Sequence, residues 1–381
     1  MLVLNGGSSS IKFALYDKSL QKKLTGKIER IGLEGCILTV KGQNKIPVNA
    51  ADIKHAAIFL MDWLEKQGAL DGEDVAVHRI VQGMKHTQTE IITVTLLTEL
   101  HEISQFDPDH LPGEIALITS VKNKYPRWKQ VACFDTSFHT SIPRRANILP
   151  VPRRFDKEGI RKYGFHGISY SYIMDKLPQI AGPDAANGRV ILAHLGNGAS
   201  MAAVQNGKSI DTTMGFTPAG GMVMGTRPGD LDPGVAWYMM QKEKLSPEQF
   251  NNIINHQSGL LGVSGISSDM QDLLAKESTS TEASEAVALF CYQAKKWIGA
   301  FTAVLNGLDI LVFTGGIGEN SPVIRSRICA GLDHFGIGVD EEANEKNAQV
   351  ISTPGSRVIV FMIPTDEEYM MAKMATKLLD K

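Results

Sequence analysis

LVLNGGSSSIKFALY, residues 2–16, decides how the rest of the chain is read. Leu2-Val3-Leu4 is an apolar run, and Ile11, Phe13 and Leu15 then alternate with other residues, so two strands are predicted. A hairpin needs only a two-residue turn such as Asn-Gly. Here Asn5-Gly6-Gly7-Ser8-Ser9-Ser10 intervene, all Gly, Ser or Asn. Glycines let backbone N–H groups approach a ligand, hydroxyls add donors, and Lys12 brings a positive charge, which together suit a phosphate cradle. An ordinary serine-rich hairpin would read the same way, so the later motifs decide.

Outward from this stretch, residues 26–48 alternate polar and apolar like further antiparallel strands, and KHAAIFLMDWLEK (54–66) carries a helical apolar stripe at Ala57, Leu60, Met61 and Leu64. Val75-Ala76-Val77 is a short strand ending at His78-Arg79. A loop of Pro, Asp and His precedes a helix expected over 114–124. Val131-Ala132-Cys133-Phe134 is a buried strand whose end carries Asp135.

The second half restates the first. VILAHL (190–195) is a strand, Gly196-Asn197-Gly198-Ala199-Ser200 a small-residue loop, and 201–204 a returning strand. The pattern recurs about 190 residues on, which points to two related domains. ILVF (310–313) then runs into Thr314-Gly315-Gly316-Ile317-Gly318-Glu319-Asn320. Ser321-Pro322 follows as the cap and first turn of a helix, an arrangement suited to anions. Residues 276–285 (KESTSTEASE) read as a polar loop, followed by a long amphipathic helix to residue 305. A closing helix runs to about 379.

With 381 residues, two domains are expected. A composition 43% hydrophobic and 21% charged is that of a soluble protein, and a net charge of -2 argues against a nucleic-acid partner. The 4 cysteines form no CxxC pair and read as buried thiols in a reducing compartment. No basic-then-apolar signal opens the chain, and no apolar run nears the roughly 20 residues of a membrane span, so a cytoplasmic protein with no membrane partner is expected. The common phosphate loops are missing: Gly207-Lys208-Ser209 ends like a Walker A motif, but Ala202 stands at its first glycine, and no GxGxxG follows a strand.

The motifs together resemble the acetate kinase family. Residues 5–12 (NGGSSSIK) are similar to its N-terminal signature. Phe134-Asp135-Thr136-Ser137-Phe138-His139, Tyr163-Gly164-Phe165-His166-Gly167, His194-Leu195-Gly196-Asn197-Gly198-Ala199-Ser200, Gly225-Thr226-Arg227 and residues 313–320 follow in family order across nearly the whole chain. The resemblance implies an α/β fold of two duplicated actin-like (ribonuclease H-like) domains with a nucleotide cleft between them. The boundaries expected are 1–143 with 369–381, and 144–368. It implies reversible transfer of the ATP γ-phosphoryl group to a short-chain carboxylate, with Mg²⁺ or Mn²⁺, in a homodimer.

Carried onto this sequence, the family roles fall on Arg79, Asp135, His166 and Arg227 for catalysis, and on Arg79, Val81, His110, Phe165 and Pro218 for the carboxylate. Ser8, Ser10, Lys12, His194, Asn197, Gly198, Asp269, Gly316, Ile317, Gly318 and Asn320 would hold phosphate and nucleotide, and Asn5 and Glu367 the metal, with Asp135 beside them. Guanidinium is permanently charged and bidentate, which suits carboxylate and phosphoryl groups. A carboxylate acceptor is already ionised at neutral pH, so no general base is needed.

The chain departs from the family pattern at several points. Gln82-Gly83-Met84 replaces histidine-glycine-glycine, and Asp109 stands where a leucine would line the acyl pocket. A carboxylate there would repel another, so a hydroxylated or larger acid, propionate or butyrate competes with acetate as the expected acceptor. Met270 and Gln271 replace an aromatic ring and an arginine near the nucleobase, and Asp366 replaces an asparagine before Glu367. A sugar kinase with Asp135 as base, or a nucleotide-driven clamp on the same fold, are the readings from other classes.

Overall fold

The strand β1 (Leu2–Gly6) pairs antiparallel with β2 (Ser10–Tyr16), setting Asn5 opposite Lys12. Its other edge pairs parallel with β6 (Val75–Ile80). These strands belong to the computed structural model, which describes residues 1–7, 9–70 and 75–380. Contacts divide it into two units, Met1–Ser137 with Asp366–Lys381, and Phe138–Thr365.

In the first unit, β3 (Lys22–Glu29), β4 (Ile37–Val40) and β5 (Ile46–Pro47) extend the antiparallel side. The parallel side continues through β8 (Lys129–Phe134) to the short β7 (Glu90–Ile91), in the order β5-β4-β3-β2-β1-β6-β8-β7. The helix Ile53–Lys66 is capped by Asp52, whose carboxylate accepts from the N–H of His55 at 2.9 Å. Its stripe of Ala57, Leu60, Met61 and Leu64 packs on Phe13, Leu15 and Ile28. Burying each Leu or Phe contributes roughly 1.5–3 kcal/mol. The same face continues under Leu111, Ile115 and Ile118, which pack against Ile80 and Phe134.

The second unit holds β9 (Arg189–Leu195), β10 (Ala199–Gln205), β11 (Lys208–Thr212), β12 (Ile310–Thr314) and β13 (Ile359–Met362), in the order β11-β10-β9-β12-β13. Three antiparallel strands followed by two parallel ones match β3-β2-β1-β6-β8 strand for strand. The fold is thus α/β with a duplicated, actin-like pattern. Tyr170, Ile173 and Leu177 of the helix Gly167–Ala181 pack on Val190, Leu192 and Val312.

Two sequence expectations need correcting. The helix expected to start at residue 114 starts at Leu111, because Pro112 is acceptable in a first turn. Most of 276–285 is helical: Met270–Lys276 ends there and Thr281–Val304 begins, with Ser280 accepting from the N–H of Ala283 at 3.2 Å. The Ser/Thr run marks a helix cap. The helix Pro322–Cys329 starts at Ser321-Pro322 as expected, and Gly315–Asn320 forms a helical turn ahead of it.

Candidate active site

Parallel strands aligned side by side bring their C-terminal ends together, and in the first unit those ends carry Asn5, Arg79 and Asp135. Arg79 donates from Nη2 to Asp135 Oδ2 at 2.8 Å and points Nη1 at Asn5 Oδ1 at 3.5 Å. Asp135 is fully buried. Burial works against the charge on Arg79, but Asp135, Glu367 and Glu114 more than offset it, so its pKa is raised. The Asn5 amide donates to Glu367 Oε2 at 3.0 Å and to Glu368 Oε1 at 3.3 Å, at the start of the helix Glu367–Leu379. Burial and repulsion from Glu367 raise the Glu368 pKa, and Lys12 pulls the other way. Glu367 and Glu368 thus present hard carboxylate oxygens in one place, with the Asn5 amide nitrogen against them and its oxygen toward Arg79. Carboxylate oxygens are the donor chemistry Mg²⁺ takes when phosphates and water complete its shell.

The remaining first-unit candidates surround this cluster less tightly. Lys12 is exposed on β2. Ser10 opens that strand, its carbonyl accepting from the Gly7 N–H at 2.8 Å, and Ser8 lies outside the described residues. Val81 is buried just past β6, its N–H donating to the Glu114 carboxylate at 3.1 and 3.2 Å. His110 precedes the helix Leu111–Lys124, and its Nδ1 lies 2.8 Å from Asp107 Oδ1.

In the second unit, His166 sits at the cap of the helix Gly167–Ala181 with φ +57° and ψ 22°. That left-handed conformation is costly for a residue with a side chain. It lays the ring on His194, centroids 4.2 Å apart at 21°. Both rings are held from behind: His166 Nδ1 lies 2.8 Å from Ser200 Oγ, and His194 Nδ1 lies 2.9 Å from Ser169 Oγ, which meets Thr365 Oγ1 at 2.9 Å. Phe165 is buried, its carbonyl accepting from His139 Nε2 at 3.0 Å.

Arg227 completes this cluster. Its Nη1 donates to the Pro218 carbonyl at 2.6 Å. A Cβ on Gly198 would fall 2.8 Å from Arg227 Nη2 and 3.3 Å from His166 Nε2, so the missing side chain gives these groups their room. The Arg227 turn is fixed independently. A Cβ on Gly225 would come 1.9 Å from Asn197 Oδ1, and the Met224 N–H donates to the Arg227 carbonyl at 2.9 Å.

Beside this turn lies a cavity of about 720 Å³ lined by Asn197, Asp269, Gly316, Ile317 and Asn320, all in the second unit. Met270, only 3% exposed, and Gln271 also line it. The Asp269 carboxylate accepts from the Gln271 N–H at 2.7 Å, capping the helix Met270–Lys276. Gly318 is buried behind the cavity, where a Cβ would meet the backbone of Phe313 at 3.5 Å.

Some participating residues escape a sequence reading. Arg325 is fully buried and donates to the carbonyls of Gly318 at 2.9 Å and Glu319 at 3.1 Å, tying the cavity turn to Asn344 and Asn347. Glu319 accepts from the N–H groups of Gly315 at 2.9 Å and Thr365 at 3.0 Å. Glu114 and Glu368 read from the sequence as acids that merely favour a helix N-terminus.

A family model described as the Acetokinase family matches residues 1–373. The chain is 41% identical to acetate kinase 2 of Clostridium perfringens, with 100% of both chains covered. It is 43% identical to acetate kinase of Methylocella silvestris, over 100% of this chain and 98% of that one. Among solved structures it resembles acetate kinase of Porphyromonas gingivalis, with a TM-score of 0.88, 36% identity and coverage of 100% and 99%. It also resembles a propionate kinase of Francisella tularensis, with a TM-score of 0.91, 35% identity and 98% of each chain covered.

Proposed function

Because the chain belongs to the acetokinase family, we propose that it transfers the ATP γ-phosphoryl group reversibly to a short-chain carboxylate, giving an acyl phosphate and ADP by direct in-line displacement. The observation that carries this reading is the pair of guanidinium clusters, Arg79 with Asn5 and Asp135, and Arg227 with His166 and Gly198.

Phosphoryl transfer needs aligned reactants and neutralised charge more than covalent help. Arg79 would bind the carboxylate in a fork, with Val81, His110, Phe165 and Pro218 around the acyl group. Arg227, His166 and His194 would donate to phosphoryl oxygens, with Ser8, Ser10 and Lys12 on the phosphates. The nucleoside would occupy the cavity beside Asn197 and Asp269. Asn5 and Glu367 would hold Mg²⁺ or Mn²⁺, which neutralises charge on phosphate oxygens when bound. A sugar kinase or clamp has no use for two such arginine clusters, which favours an anionic acceptor over both.

Asp109, half-buried in the loop before Leu111, favours a second acceptor class of hydroxylated or longer acids beside acetate. A homodimer is supported by the helix Pro233–Glu243, which buries none of its residues and exposes Trp237 by 68% and Tyr238 by 59%. A cytoplasmic setting is supported by four free, buried cysteines. Among the described residues, no helix is long and apolar enough to cross a membrane.

The test is to incubate the protein with Mg-ATP, hydroxylamine and a panel of carboxylates. Hydroxamate should form with at least one short acid. Formation of ADP with no hydroxamate from any acid would overturn the reading.

A further inference from the structure

Glu114 has no role in the scheme above, yet it occupies the notch where two site-bearing strands end. It lies in the first turn of the helix Leu111–Lys124, where an acid is ordinarily solvated and favoured by the helix dipole. Here it is only 3% exposed, and both carboxylate oxygens lie within 3.2 Å of the Val81 nitrogen. Val81 is the first residue beyond β6. The ladder with β8 stops at Ile80 and Phe134, and the Ile80 carbonyl accepts from the Asp135 N–H at 2.9 Å. The Val81 N–H therefore lies beyond that ladder, and Glu114 supplies its acceptor.

Gly6, the last residue of β1, borders the acid. A Cβ there would lie 3.9 Å from Glu114 Cγ and 3.5 Å from Leu117 Cδ2. Glu114 thus sits between the strand ends that carry Asn5 and Arg79. Burial, reinforced by Asp107 and Asp135 and opposed by Arg79, drives its pKa well above the carboxylate range. Burying a carboxyl group is costly, and an aliphatic residue would fill the same notch without that cost. What an aliphatic residue cannot do is accept the Val81 N–H.

We propose that Glu114 is a positioning residue for the carboxylate-accepting half of the site. By holding the Val81 N–H it fixes the turn at residues 79–81, and with it the aim of Arg79 and the wall formed by Val81. This inference rests on the carboxylate kinase reading.

The test compares E114Q, E114A and E114D by kcat, by KM for the acid, by KM for ATP and by thermal melting. E114Q keeps an acceptor oxygen at the same reach, so its KM for the acid should stay within twofold of wild type. E114A removes the acceptor and E114D shortens its reach, so each should raise the KM for the acid about tenfold. The KM for ATP should stay within twofold, because the cavity lies in the other unit. If E114A does not fold, E114D carries the comparison, and if neither folds, E114Q does. An acid KM unchanged in both E114A and E114D, equal rises in both KM values, or a tenfold rise in E114Q would each overturn the proposal. Failure of the underlying reading looks different: wild type itself would make no acyl phosphate.

Discussion

Gly198 and Arg227 are so close that a Cβ on the glycine would fall 2.8 Å from the guanidinium Nη2. The contact is with the far end of a flexible side chain, so Gly198→Ala should fold and push the guanidinium aside. We expect kcat to fall at least tenfold while the melting temperature moves by about 2 °C or less. Steady-state kinetics with calorimetry checks this, and a wild-type kcat would separate Gly198 from the chemistry.

Arg79→Ala and Arg227→Ala should each lower turnover by roughly 10²–10³-fold, the usual effect of deleting one group that stabilises a transition state. Both variants should still fold, as circular dichroism would show. Arg79→Ala should melt lower than Arg227→Ala, because it leaves the fully buried Asp135 without its ion pair. Full activity in either variant would remove that arginine's role.

His78 makes stability depend on pH. It is 1% exposed on β6, and burial pushes its pKa down to about 4. The unfolded chain titrates near 6.5, so between those values it binds a proton that the folded protein does not. The contribution is complete above about pH 6.5 and is lost as pH falls toward 4, by roughly 3 kcal/mol at most. Urea midpoints at pH 7.5 and pH 5 should drop less for His78→Leu than for wild type. Equal drops would place the acid sensitivity elsewhere.

Asp109→Leu should lower the KM for acetate several-fold relative to longer or hydroxylated acids, because it removes a charge that repels the substrate. A competition assay across the panel measures the shift. No change in preference would mean that Asp109 does not face the acyl group.

The sequence makes the elements of strong period legible. The strand–small-residue loop–strand unit at residues 2–16 returns as β9 and β10, and the stripe of the helix Ile53–Lys66 is buried as its spacing implies. The motifs name Arg79, Asp135, His166 and His194, and the fold sets Arg79 beside Asp135 and His166 beside His194. Local propensity hid the rest. Nothing in the glycines at 315–318 announces the helical turn in which buried Arg325 and the carboxylate of Glu319 hold them. Glu114 looks like any acid in a first turn, and only the meeting of that helix with the end of β6 turns it inward. Gly318 carries a family motif, but packing against Phe313 keeps it off the cavity surface.

The most direct test of phosphoryl transfer to a carboxylate is phosphorus NMR of the protein with Mg-ATP and a short acid. The account predicts ADP and an acyl phosphate rising in equal amounts, and the reverse reaction when those two are supplied. ADP accompanied only by inorganic phosphate, with every acid tried, would contradict it.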